Sequence, residues 1–155
     1  MIRASRFLAL ALALLSAACG GGGDSSVETP GIAYGEYRCA LCDMRVEDPR
    51  FSPVLLDRDD ERFAFDSIEC LLPWIRRHGA SIESLRVWLP DYAEGGKLHR
   101  AESMTLVRAD YASPMGGGYA AFKDAALAEK EAGARKGTSG GLMAFVLGNI
   151  PGNGE

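Results

Sequence analysis

FAFDSIECLLPWIRRHG, residues 63–79, and YAAFKDAALAEKEAG, residues 119–133, are built to one plan. Each begins as an extended run ending in aromatic residues, passes into a segment of helical spacing, and closes at a glycine. In the first, Asp66 with Glu69 three positions later has the form of a capping box. Pro73 lies inside that helical stretch, where it either kinks the helix or opens its regular part. In the second, Ala121, Ala125, Ala128 and Ala132 recur at intervals of four, three and four, an apolar face that Gly133 can end.

Outward from these two segments, EYRCALCDM and FSPVLLDRD read as extended runs before the first, and SLRVWL as a strand after it, bounded by Pro90. Around the second lie the extended run ESMTLVRAD, the loop SPMGGG and the apolar run LMAFVLG, read as a closing strand with Met143 in the core. The pattern predicts an α+β fold of two tandem ββαβ units, residues 34–92 and 97–150, joined near Glu94-Gly95-Gly96. Trp74 and Trp88 are expected as core aromatics. Asp57, Asp59, Asp60 and Glu61 read as a charged hairpin tip, because no glycine-containing calcium loop follows.

The N-terminus carries a different message. Arg3 and Arg6 precede the apolar run Phe7 to Ala18, too short to span a bilayer and typical of an export signal, so residues 1–18 read as a signal peptide. Leu15-Ser16-Ala17-Ala18 leading into Cys19 resembles the lipobox of bacterial lipoproteins, which implies that Cys19 is acylated and tethers the chain to a membrane. Residues 19–33, rich in glycine and serine, then read as a flexible tether. The expected location is the bacterial cell envelope, lipid-anchored and facing the periplasm. Removing residues 1–18 moves the net charge from −4 to −6, 15 basic against 21 acidic residues, a balance that argues against nucleic acid as a partner.

With Cys19 acylated, the free thiols number three, Cys39, Cys42 and Cys70, and an odd count in an oxidising compartment cannot pair off completely. Cys39-Ala-Leu-Cys42 has the spacing of redox motifs, but no apolar helix begins at Cys42 to lower a thiol pKa. Structural zinc asks for four ligands, and this chain offers one C-x-x-C pair and two histidines, His78 and His99. Copper(I) suits soft sulfur: on a strand Cys42 and Met44 face one way, and Cys39 joins them if the chain turns. Met115, set between Pro114 and three glycines, is a further candidate thioether with little apolar company. Cys70, beside Leu71 and Leu72, reads as a small buried hydrophobe, and His99 as a surface residue. No Ser/His/Asp arrangement or phosphate loop is evident, so the chain is not expected to be an enzyme.

Taken in order, Cys39-x-x-Cys42-x-Met44, then Phe65-x-Ser67-x-Glu69, then Pro114-Met115-Gly116 running into Ala121-Phe122, behind a lipoprotein signal, resemble the NosL family of copper-binding lipoproteins, over Tyr34 to about Ile150. The resemblance implies a fold of two ββαβ units, with a likeness to part of organomercurial lyase. It also implies a Cu(I) chaperone serving nitrous oxide reductase or its assembly machinery. The implied metal donors are Cys39, Cys42, Met44 and Met115. An envelope thiol–disulfide oxidoreductase and an adaptor that binds no metal are the competing readings. One departure stands at the motif itself: the family pattern is C-x-x-C-G-M, and Asp43 replaces the glycine.

Overall fold

In the computed structural model, residues 29–78 and 84–149 are described; the signal peptide, Cys19, most of the tether and Gly79 lie outside them. The strands are β1 (Val54–Leu56), β2 (Arg62–Ala64), β3 (Arg86–Asp91), β4 (Lys97–Arg100), β5 (Thr105–Arg108), β6 (Tyr119–Phe122) and β7 (Thr138–Gly140). The helices are α1 (Ile68–His78), α2 (Ala125–Ala134) and α3 (Leu142–Leu147). The fold is α+β, and strands from both halves share one mixed sheet in the order β2-β1-β3-β6-β5-β7, with β4 also on β3. The two halves meet where β3 and β6 run parallel at Asp91 and Ala121; every other named pair is antiparallel.

Period-two alternation along β5 and β6 separates two cores. Leu106 and Ala121 point into a larger cluster with Phe65, Ile68, Leu71, Ile75 and Phe145, which draws in α1 and α3. Val107, Ala120 and Phe122 point into a second cluster with Phe51, Tyr111, Ala128 and Ala132, which draws in α2. Trp74 and Trp88 are buried as expected, the latter under the Arg100 guanidinium at 4.8 Å. Arg76 ties α1 to α3, donating from Nε to the Val146 carbonyl at 2.9 Å and from Nη2 to that of Phe145 at 2.8 Å. The acidic tip between β1 and β2 is closed locally, the Asp57 carboxylate accepting from the amides of Asp59 and Glu61.

Several expectations are corrected. LMAFVLG is a helix, not a closing strand: Leu142, Phe145 and Val146 are buried at a helical interval, between Gly141 at the N-cap and a left-handed Gly148 at the C-cap. The strand in that region is Thr138–Gly140. Met143 therefore stands on the outer side of a helix, 38% exposed, and the core role expected of it falls away. Gly133 does not end α2, because the left-handed exit falls on Lys136, with the Gly137 amide reaching back to the Ala132 carbonyl at 2.8 Å. Ala121 belongs to β6, and Asp124 caps α2 through the amides of Ala126 and Leu127. Pro73 is inside α1, which runs through it, so the Glu69 carbonyl lacks its usual donor four residues on. The capping box is not formed: Glu69 directs one carboxylate oxygen to the Ser113 hydroxyl, and the other has no hydrogen-bond partner.

Candidate metal centre

The C-x-x-C segment is a loop, correcting the strand expected over EYRCALCDM. Its flanks touch through one isolated bridge, Arg38 to Arg45, and between them the Cys39 amide donates to the Met44 carbonyl at 2.8 Å and the Asp43 amide to the Cys39 carbonyl at 3.0 Å. Asp43 supplies the reversal with φ of 62°, the left-handed conformation that glycine adopts freely and aspartate better than most residues. Arg38 secures it, Nη1 donating to the Asp43 carbonyl oxygen at 2.8 Å and to its carboxylate at 3.2 Å. The consequence is testable by urea unfolding. Asp43→Gly is expected to change stability by less than about 1 kcal/mol, whereas Asp43→Val is expected to lose roughly 1–2 kcal/mol.

The turn that the sequence left open thus exists, and it folds the loop onto the rest of the chain through the Ala40 amide, which donates to the Ala64 carbonyl at 2.9 Å. That contact delivers the loop to the start of α1. The thiols of Cys39, Cys42 and Cys70 and a carboxylate oxygen of Asp66 all lie within 4.8 Å of one another. Cys70 is buried, as expected of a small hydrophobe, but its company is two other thiols and not leucines alone. The odd thiol count was the sequence signal for a third participant; nothing local to Cys70 said which loop it would meet.

The cluster is electrostatically uneven. A hydrogen bond from the Cys70 thiol, together with backbone amides of Asp66, Cys42 and Leu41, draws the Cys39 thiol down to about 6 against the cost of its burial. The Cys70 thiol, donating to Cys39 and lying beside Asp66, is pushed up, and burial pushes up that of Cys42. The site is therefore one thiolate flanked by two thiols near neutral pH. Because the folded value of Cys39 lies below that of an ordinary thiol, the stability it contributes is present in full above the ordinary range and is lost as pH falls through about 6. Absorbance at 240 nm of the metal-free, reduced chain is expected to show one thiolate appearing with a midpoint near 6; three thiols titrating together at an ordinary value contradict this arrangement.

Asp66 is 1% exposed; its Oδ1 accepts from the Ser67 hydroxyl, its Oδ2 has no hydrogen-bond partner among the oxygen and nitrogen donors, and the Cys70 thiol lies beside the carboxylate. Asp91, in the second acidic group with Glu94 and His99, shows the contrast. Its Oδ1 accepts from the amides of Ala93 and Glu94 and its Oδ2 from that of Lys123, so it is a satisfied knot at the end of β3. His99, expected at the surface, is half-buried there and pairs with Glu94 at 2.9 Å.

The thioethers sit outside the buried cluster. Met44, two residues past Cys42, is 47% exposed, and Met115 is 45% exposed at the tip of the glycine loop. That loop reaches α1 one residue from Cys70: the Ser113 hydroxyl donates to Glu69 Oε1.

No family model matches this sequence, and no curated protein matches it. The fold is similar to the crystal structure of the copper chaperone NosL from Shewanella denitrificans, with a TM-score of 0.62 at 17% identity, covering 73% of this chain and 91% of that one. The fold is NosL-like. In this NosL-like frame the C-x-x-C loop and the first turn of α1 bring three thiols together, a donor set that fits a soft metal ion.

Proposed function

We propose that this protein is a metallochaperone, not an enzyme, that binds one Cu(I) ion as cargo and passes it to a partner. The observation that carries this reading is the convergence of Cys39, Cys42 and Cys70 within 4.8 Å, in a fold similar to that of a copper chaperone. Thiolate sulfur is the donor that Cu(I) prefers over oxygen. The three thiols offer a trigonal sulfur set, and the exposed thioethers of Met44 and Met115 offer weaker donors toward solvent. An ion leaving such a site can exchange one sulfur at a time for those of a partner, so that it is never released bare.

The finer parts of the reading rest on the sequence grammar and on the family resemblance. The chain is two tandem ββαβ units, lipid-anchored through Cys19 in the bacterial envelope and facing the periplasm. The copper is destined for nitrous oxide reductase or its assembly machinery. Anaerobic titration of the reduced chain against a Cu(I) chelator should give one Cu(I) per chain, held in preference to Zn(II); zinc displacing copper from the site contradicts the reading. Met115→Ala is expected to weaken Cu(I) affinity at least tenfold, about 1.4 kcal/mol, with little loss of apo-protein stability, since the side chain is half exposed. Unchanged affinity in that variant confines the donors to the thiols and Met44.

The lowered thiol of Cys39 favours a second reading, thiol–disulfide exchange. Copper-free turnover of a small disulfide, lost in Cys39→Ala, is the result that supports it.

A further inference from the structure

Glu69 is a half-buried carboxylate that makes none of the contacts its place in the first turn of α1 suggests. It receives the Ser113 hydroxyl on Oε1, has no partner on Oε2, and lies against Gly117 so closely that a Cβ there would overlap the Glu69 side chain. Ser113 is itself buried, and its hydroxyl oxygen accepts from the Gly118 amide at 3.1 Å, while its carbonyl accepts from the Gly116 amide at 2.9 Å. Gly118 has φ of 72° and no room for a Cβ against the Ala109 carbonyl. The base of the 113–118 loop is thus closed on itself and pinned to α1, with Met115 exposed at its tip.

Without that pin a six-residue segment holding three glycines has many conformations to lose when its methionine binds. With it, the loop is anchored to the residue next to Cys70 before any ion arrives. We propose that Glu69 and Ser113 are positioning residues, a latch that holds the Met115 thioether in place for the ion bound by the thiols. This rests on the reading of Met115 as a donor, and it adds residues that carry no sulfur. Neither Glu69 nor Ser113 needs to touch the metal; their effect is to reduce the ordering cost of the loop.

The test is a set of Cu(I) affinities for the full chain, measured anaerobically against a chromophoric Cu(I) chelator. Ser113→Ala and Glu69→Ala are each expected to weaken binding about fivefold, while Glu69→Gln, which keeps a carbonyl oxygen for the Ser113 hydroxyl, retains near wild-type affinity. In a Met115→Ala background, Ser113→Ala is expected to cost nothing further, because the thioether it positions is gone. Equal losses with and without Met115 overturn the latch and leave Ser113 a packing residue. A weakened Met115→Ala beside an unaffected Ser113→Ala also overturns the latch while keeping Met115 as donor. Unchanged affinity in Met115→Ala alone overturns both readings. Should Ser113→Ala fail to fold, the comparison of Glu69→Gln with Glu69→Ala, with and without Met115, decides the same question.

Discussion

Cys70→Ala is expected to weaken Cu(I) binding by about a hundredfold, roughly 2.8 kcal/mol. Its thiol is one of three that meet within 4.8 Å, and it is the one supplied by α1 while the other two come from one short loop. Removing it leaves a two-thiol pair and takes away the hydrogen bond that holds Cys39 as a thiolate, so affinity falls through both the missing donor and the less ionised remaining one. The folded structure should tolerate the change. A buried thiol behaves as a small hydrophobe, and a loss of about 1 kcal/mol shifts the melting temperature of a domain this size by only a few degrees. Chelator competition with parallel thermal melts checks both halves. Wild-type affinity in a well-folded Cys70→Ala protein returns Cys70 to the core filler that its leucine neighbours suggest, and confines the site to the loop.

Phe65→Ala is expected to be the most damaging single truncation for stability, at about 3–5 kcal/mol. Phe65 is fully buried, meets Trp74 edge-on at 5.7 Å between ring centroids, and its amide donates to the Pro53 carbonyl at 3.0 Å. It also precedes Asp66, whose amide serves the Cys39 sulfur, so a cavity here loosens the floor of the thiol cluster. Against a typical domain stability of 5–15 kcal/mol the loss is a large fraction. Urea unfolding of the metal-free chain measures it, and a loss under about 1 kcal/mol shows that the neighbours close over the gap.

The parts of the fold that were legible in sequence are those where a short-range rule decides. An aromatic strand end runs into a helix in both halves, and the burial of Ala128 and Ala132 follows from their spacing, whereas the start of α2 at the Asp124 cap, after Ala121, is given only by the structure. LMAFVL failed because six apolar residues fit a buried strand or a helix equally well; the glycines at 141 and 148 settle the matter only once their backbone angles are known. The same division runs through the candidate site. Cys39 and Cys42 were marked by their spacing, Met115 by its glycines. In sequence Asp66 has the form of half a capping box and Cys70 that of a helix-face hydrophobe, since the meeting of loop and helix depends on a long-range contact, the Ala40 amide on the Ala64 carbonyl. Asp43 shows the reverse: standing where the family resemblance implies a glycine, it takes the left-handed conformation that glycine adopts freely.

The division of the thiols between two chain segments would make a bound ion a fastener. The two loop cysteines sit in a segment without regular secondary structure, held by backbone hydrogen bonds and by packing of Cys39, Leu41 and Cys42 against the main core, whereas Cys70 is set in a helix of that core. An ion gripped by all three closes a ring from position 39 to position 70 and restrains every opening that would lift the loop away. Metal-free molecules would lack that restraint, and limited trypsin digestion is expected to cut them faster around Arg38 and Arg45 than Cu(I)-loaded ones. Where such cleavage acts, a bound ion would protect the chain that carries it.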